Sequence, residues 1–471
     1  MNQDNTFIAL DIGTSFIKGA ILDLDQQELR GIQRQPFPEL IAGLPANFFE
    51  VAPDTLVAAV QPLLYSLLEQ EPNCQGIVTC TQMHGLVLTD EAYQPLTNVI
   101  TWRDQRAITA HPSGHGTYYD VLCQRLTAEE RSQLGGGLRA GLPIGTLFWL
   151  AEEGKLPQAP AIPLTLSEYL LTTFCTENLH PRIEPTNAAA YGTYNLTSGT
   201  WYIDVLEKLG LDHLKWPEIG SIQSVVGTIN IDGRSIPCYA SVGDHQCALA
   251  GSFLQNGELS LNIATGSQAS LITPTLMLGE YETRPYFDQR FINTWAKIPA
   301  GRSLTLLVNL LTEIAQTQGI ELSDPWTTIT QAVEQIMRTS PESDLEIDLS
   351  FYDSTEVSAG SFTNVREDNL SVGHLFLAAF QSMAQNYLSS GLKIAGDQNS
   401  WERIVFSGGL AQKLEPLRQA ILDTFQQAGL NHSHRLCAEE EDTLLGLMVL
   451  ARYISGEADS VAEATKSIAQ K

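Results

Sequence analysis

The chain has 471 residues, enough for two or three domains of ordinary size and a sizeable core. With 43% hydrophobic and only 17% charged residues it can offset its folding entropy by burial, which excludes disorder over most of its length. Its 27 basic residues against 54 acidic ones leave a net charge of −27, a balance that repels phosphate backbones and anionic membranes, so neither is an expected partner.

An anionic substrate must then be held locally, by backbone N–H groups, a metal ion or a few placed cations. The seven cysteines are odd in number and form no CxxC pair, which points to a reduced, cytoplasmic chain rather than a disulfide or zinc scaffold. The polar N-terminus leads into Thr6–Leu10 without a secretory pattern, and nowhere do eighteen apolar residues run together.

In chain order, Phe7–Leu10 predicts a strand, Gly13-Thr14-Ser15 a turn, and Ile17–Leu24 the returning strand of a hairpin. Over 55–70, Leu56, Val57, Val60, Leu63, Leu64, Leu67 and Leu68 share one helical face, with Pro62 a candidate kink. A strand over 76–81 stops at Gln82-Met83-His84-Gly85, just beyond a carboxyl end, where functional loops of open sheets sit. The glycine-rich stretch 132–145 and the proline-rich stretch 157–163 predict loops. Further on, 374–388 predicts a helix and 401–406 a strand. Ser407-Gly408-Gly409-Leu410 then turns into one helix to about 427, 443–453 predicts another, and 456–471 reads as a frayed or surface helix. Strands alternating with helices imply α/β layers.

A weak internal repeat adds to this. Ile8–Ser15 overlays Leu259–Gly266 at a constant offset of 251, keeping the apolar alternation, an Asp/Asn position and a threonine. Two copies of a strand, hydroxyl/glycine turn, strand unit imply two similar lobes facing one cleft.

Asp11-Ile12-Gly13-Thr14-Ser15, with Lys18 three further on, puts a carboxylate at a strand end before a turn of small, hydroxyl-bearing residues. Such a turn suits a polyphosphate, and the carboxylate suits a magnesium ion held through water; the same residues also make an ordinary β-turn. There is no GxxxxGK followed by Ser or Thr, so this is not a Walker loop. Asp244, in Gly243-Asp244-His245-Gln246, follows the apolar run 238–242 and suits either a general base for an attacking alcohol or a helix N-cap. Gln82-Met83-His84-Gly85 and Trp102-Arg103-Asp104 offer the amide, imidazole and carboxylate groups that bind a polyol. Each has a plain reading too, His84 as a satisfied loop histidine and Trp102 as core.

Together these segments resemble the FGGY carbohydrate kinases of the actin/hexokinase/heat-shock ATPase superfamily, from Phe7 to about Tyr453. Asp11–Lys18 is similar to that family's first phosphate motif, Thr265-Gly266-Ser267 to its second, Ser407-Gly408-Gly409 to its adenosine motif, and Gly243–Gln246 to its catalytic segment. Within the family the resemblance is closest to sedoheptulokinases, through the Gln82 loop, 101–106, 146–150, 187–192 and 370–374. Against the family's usual pattern of small residues, Thr443–Leu447 is bulky around Gly446.

The resemblance implies two actin-like (ribonuclease H-like) ATPase domains flanking a central cleft, expected at 1–242 and 243–471. It implies an ATP- and Mg2+-dependent kinase acting on the terminal hydroxyl of a ketose, sedoheptulose foremost, working as a monomer or homodimer. Asp244 is the implied base. Gln82, Met83, His84, Trp102, Asp104, Asp244, His245 and Gln246 are the implied sugar contacts. Asp11, Gly13, Thr14, Ser15, Lys18, Thr265, Gly266, Ser267, Gly408, Gly409 and Gln412 are implied to hold ATP, and Asp11 and Asp244 the metal. Xylulose and ribulose remain alternative substrates, since xylulokinases share the Gln-Met-His-Gly loop and the aspartate. A non-catalytic actin-like nucleotide-binding protein is the rival class, and it would need the phosphate turns but not the polyol segments.

Overall fold

The computed structural model describes residues 5–158, 160–264, 266–320, 322–339, 344–351, 359–396, 401–437 and 441–469. The chain divides into two compact units. One comprises Met1–Gln255, Pro274–Phe291 and Glu439–Lys471, the other Asn256–Thr273 and Ile292–Ala438. Among the described residues no helix is long and apolar enough to cross a membrane, and all seven cysteines are free thiols.

The sheet of the first unit runs Val225–Ile231, Arg234–Tyr239, Ile77–Thr81, Thr6–Ile12, Phe16–Asp23, Glu28–Pro36, with Val242–Gly243 also paired to Ile77–Thr81. Thr6–Ile12 is buried at every position, as a central strand covered on both faces must be. One cover is the Pro53–Gln70 helix, whose Leu56, Val60, Leu63, Leu64, Leu67 and Leu68 recur at helical spacing and are all buried. Each such side chain is worth roughly 1.5–3 kcal/mol relative to exposure. The helix runs through Pro62 without ending there.

In the second unit Phe291–Ile298, Ser267–Thr273, Glu258–Asn262, Arg403–Ser407 and Ser433–Leu436 lie side by side. The repeat seen in sequence is a repeat of topology. Thr6–Ile12 pairs antiparallel with the strand after it and parallel with Ile77–Thr81; Glu258–Asn262 does the same with Ser267–Thr273 and Arg403–Ser407. Asp11 pairs with Lys18 and its counterpart Asn262 with Gln268, so the second turn is one residue shorter.

Four expectations shift. The stretch 132–145 is not all loop, because Pro143 opens the Pro143–Glu152 helix at a position where its missing N–H is harmless. Likewise, the end of 157–163 is already in the strand Ile162–Leu164. The helix expected after Ser407 is two, Gly409–Lys413 and Glu415–Gln427, because Leu414 leaves helical geometry (φ −109°, ψ 81°) two residues before Pro416. The C-terminal Val461–Ala469 helix is docked rather than frayed, with Val461, Ala464 and Thr465 buried and the Asp288 carboxylate accepting from the N–H groups of Val461 and Ala462 at 3.0 and 2.8 Å.

The units are also not the contiguous halves 1–242 and 243–471. The helix Asp244–Gly251 belongs with the first unit because it crosses the helix Asp442–Ile454 with the two backbones in contact. A Cβ on Gly251 would lie 1.7 Å from the Asp442 carbonyl oxygen, and one on Gly446 2.0 Å from that of Cys247. The bulky neighbours of Gly446 face other directions; the glycine itself is what lets the helices touch. Gly446→Ala should therefore destabilise the first unit by about 3 kcal/mol, the upper end for overpacking, since backbone rather than a flexible side chain must move. Urea unfolding checks this, and a midpoint equal to that of the wild type would refute the close crossing.

Candidate active site

The turn after Asp11 leaves its hydroxyls open to solvent. Asp11 is buried at the end of its strand, and Thr14 and Ser15 are exposed in the turn that follows. The segments expected to bind a polyol lie against this turn at two points. Gln82, buried, donates from Nε2 to the Gly13 carbonyl at 3.2 Å, and Trp102 donates from Nε1 to the Thr14 hydroxyl at 3.0 Å. Trp102 is 42% exposed, so it is not core.

Around Asp11 the chain gathers acids. Oδ2 accepts from the Thr443 hydroxyl at 2.6 Å and lies 3.9 Å from the Lys18 ammonium, while the Cys80 thiol reaches Oδ1 at 3.6 Å. Burial pushes the Asp11 carboxyl above its usual range, and the bond from Thr443 pulls it back. Lys18 pairs more closely with Glu441, at 3.0 Å, and Arg34 pairs with the same carboxylate.

Asp244 opens its helix as the first residue after Gly243, which occupies the cap position with no side-chain cap bond; the N-cap reading does not hold. Its Oδ1 accepts instead from the adjacent His245 N–H at 2.8 Å. Burial, then the charge of Asp11, pushes its carboxyl up to about 7, with Asp442 adding in the same direction and Arg284 opposing. A carboxylate so tuned is a stronger base than an ordinary aspartate.

A chain of charged and polar groups leads away from it. His84 sits in the left-handed region at φ 68°, unusual for a residue with a side chain, and both its ring nitrogens are engaged. Arg139 approaches Nε2 at 2.7 Å and can only donate, so Nδ1 carries the hydrogen and gives it to the Ala190 carbonyl at 2.8 Å. The ring is neutral, and burial followed by the Arg139 and Arg284 charges holds it well below the usual histidine range. Arg139 binds Glu282 at 2.8 Å, and Glu282 in turn binds Arg284. Arg284 then reaches His245 Nδ1 at 3.2 Å and the Met83 sulfur at 3.7 Å. Burial would raise Glu282, but the two arginines hold it at about 2. His245 is held down to about 3, by burial first and Arg284 second.

Other expected contacts lie elsewhere. Asp104 is 1% exposed, and its two oxygens accept from the Arg106 side chain, the Arg106 N–H and the Phe49 N–H, so it braces its own loop rather than facing a ligand. Gln246 is fully buried, with Nε2 on the Pro285 carbonyl at 3.2 Å. In the second unit, exposed Gly266 stands in the turn whose ends are closed by Ser267 on Ala264, with its hydroxyl 3.3 Å from the carbonyl oxygen. Gly408, at φ 90°, passes so close to Ile263 that a Cβ would lie 2.6 Å from its oxygen, and this brings Gly409 beside that turn. Gln412 is exposed and donates to the Cys437 carbonyl at 3.4 Å; Thr265 lies outside the described residues.

Residues 6–251 match the model of the FGGY family of carbohydrate kinases, N-terminal domain. The chain belongs to this family. Its relatives include the sedoheptulokinases of Mus musculus, 22% identical, and Homo sapiens, 23% identical, each match covering 89% of this chain and 92% of the relative. Its fold is similar to that of the ligand-bound xylulose kinase from Lactobacillus acidophilus, with a TM-score of 0.80 at 19% identity over 98% of this chain and 92% of that one.

For an FGGY kinase the residues that sequence reasoning missed are Arg139, Glu282, Arg284 and Thr443. Arg139 had a signal in Gly135-Gly136-Gly137-Leu138-Arg139. Gly135, at φ 92°, lets the loop press on residues 281–283, where a Cβ would lie 2.3 Å from the Thr283 oxygen, and so brings Arg139 to Glu282. Glu282 and Arg284 are far from the family motifs in sequence, and Thr443, at the start of the bulky 443–447 segment, is brought to Asp11 only by folding.

Arg284→Met should destabilise the protein by roughly 3–5 kcal/mol, because it leaves the mostly buried Glu282 charge short of a partner. The same change should raise the pH at which the His245 ring titrates, since a neighbouring positive charge is removed. Urea unfolding and NMR titration of the imidazole read the two effects; unchanged values would refute the network.

Proposed function

We propose that this FGGY kinase transfers the γ-phosphoryl group of ATP to the terminal hydroxyl of a ketose, with sedoheptulose as substrate and sedoheptulose 7-phosphate as product. The observation that carries the chemistry is Asp244, half-buried at a strand end with its carboxyl pushed up to about 7 beside Asp11. As the sugar oxygen attacks the γ-phosphorus, Asp244 takes the hydroxyl proton, the new P–O bond forms, and the bond to ADP breaks with its electron pair leaving on ADP. Phosphoryl transfer asks a protein mainly for positioning and charge stabilisation.

The donor set fits magnesium. Asp244, raised by burial and by the charge of Asp11, and Asp11, itself raised by burial, together favour a cation, and this ion keeps several waters, taking one or two carboxylates plus phosphate oxygens. Among the described residues no three His, Cys, Asp or Glu side chains converge on one point, so Asp11 and Asp244 would hold it with water and phosphate completing the shell. Held by these residues, such an ion would supply charge neutralisation for the transferring phosphates. The Thr14 and Ser15 hydroxyls and the turn N–H groups grip phosphate oxygens, with Gly266, Ser267, Gly408 and Gly409 assigned to the nucleotide.

His84, Met83 and Trp102 form the sugar wall, and Arg139, Glu282 and the neutral His245 ring supply directional hydrogen bonds. Lys18 acts through Asp11 and Glu441, to which it is paired. Sedoheptulose, rather than xylulose or ribulose, is favoured by the sedoheptulokinase relatives, which match over 89% of the chain.

A coupled assay of ADP release against sedoheptulose, xylulose, ribulose, glycerol and gluconate should give the highest kcat/KM on sedoheptulose; a higher value on a pentulose moves the assignment to that sugar. Asp244→Asn should lose turnover by roughly 10²- to 10⁴-fold with both KM values little changed. A loss below about fivefold would remove Asp244 from the role of base.

A further inference from the structure

The segment that delivers Asp244 is held by side chains of a short helix that the chemistry above does not use. Gly243 donates its backbone N–H to the Thr186 hydroxyl at 2.9 Å. A backbone N–H cannot accept, so Thr186 Oγ1 is the acceptor there and its own hydrogen points to the Glu184 carboxylate, which also accepts from the Thr186 N–H at 2.8 Å. One residue along, Asn187 donates to the Ser241 carbonyl at 3.1 Å, and the Ser241 hydroxyl donates to the Thr79 carbonyl at 3.2 Å. The helix Pro185–Ala189 thus grips residues 241 and 243, alternate positions of the run into Asp244, and Glu184 is its N-cap. Glu184, Thr186, Asn187 and Ser241 are all at most 5% exposed, so water does not compete for these bonds.

We infer that Glu184 and Thr186 are positioning residues for phosphoryl transfer, fixing through the Gly243 N–H the direction in which the Asp244 carboxylate points. This rests on Asp244 being the base. The hydroxyl has no rotational freedom left, because each of its two bonds dictates the other. Its effect on rate comes from aim, since a misplacement on the order of 1 Å at a reacting group costs about 10²-fold.

The test is steady-state kinetics with ATP and the ketose turned over best, on folded protein checked by circular dichroism. Thr186→Val keeps the shape but loses both hydroxyl bonds, and kcat should fall about tenfold to a hundredfold, with KM for ATP and sugar within about twofold. Thr186→Ser and Glu184→Gln keep an acceptor at each end and should stay within about threefold of the wild type. In an Asp244→Asn background, Thr186→Val should cause no further loss, because there is no base left to aim. Wild-type kcat in Thr186→Val, a loss in Thr186→Ser equal to that in Thr186→Val, or a full additional loss on top of Asp244→Asn would overturn the positioning role while leaving the base intact. Full turnover by Asp244→Asn alone would instead show that the base assignment has failed, and the positioning role with it.

Discussion

Two buried carboxylates, the charge of Asp11 raising the pKa of Asp244, set the terms for this molecule. Asp11 and Asp244 come from segments more than two hundred residues apart, and burial of both, together with the charge of Asp11 at Asp244, disfavours their charged forms. The fold supplies what holds them there. The Thr443 hydroxyl donates to Asp11, Lys18 stands close by, and the Asp244–Gly251 and Asp442–Ile454 helices cross in backbone contact at Gly251 and Gly446. A site kept in this condition favours a cation and an incoming proton, which is what phosphoryl transfer to a hydroxyl provides.

Under the proposed function, the arginine–glutamate chain answers a different need. A sugar carries no strong charge, so its site requires donors and acceptors of fixed direction. Arg139 and Arg284 fix the tautomers of His84 and His245 by presenting only donors to their ring nitrogens, and Glu282 accepts from both arginines. Both histidines stay neutral, by burial first and the arginine charges second, and Glu282 offsets part of that positive charge. The strained backbone at His84 is held by the same bonds.

Much of this could be read from the chain. The Thr6–Ile12 hairpin, the apolar face of Pro53–Gln70 and the offset of 251 are local or periodic signals, and each reappears in the topology. The turn at Gly13 and the strand-end place of Asp244 were visible because small residues and apolar runs mark them. Asp104 and Gln246 have side-chain types that suit a sugar, yet spacing cannot tell a carboxylate facing a cleft from one saturated by Arg106 and Phe49. Arg284, Thr443 and the tie from Thr186 to Gly243 depend on contacts across 39 to 432 positions, and no motif records them. The division of the chain at 242 failed to anticipate the return of 439–471 for the same reason: two glycines that meet in space are unremarkable in sequence.

The most direct measurement is a crystal structure of the protein with the ketose and a non-hydrolysable ATP analogue. One Asp244 oxygen should lie about 2.6–3.2 Å from the sugar's terminal hydroxyl, with that hydroxyl in line with the γ-phosphorus. A terminal hydroxyl bound by another group, with Asp244 turned away from it, would contradict the account.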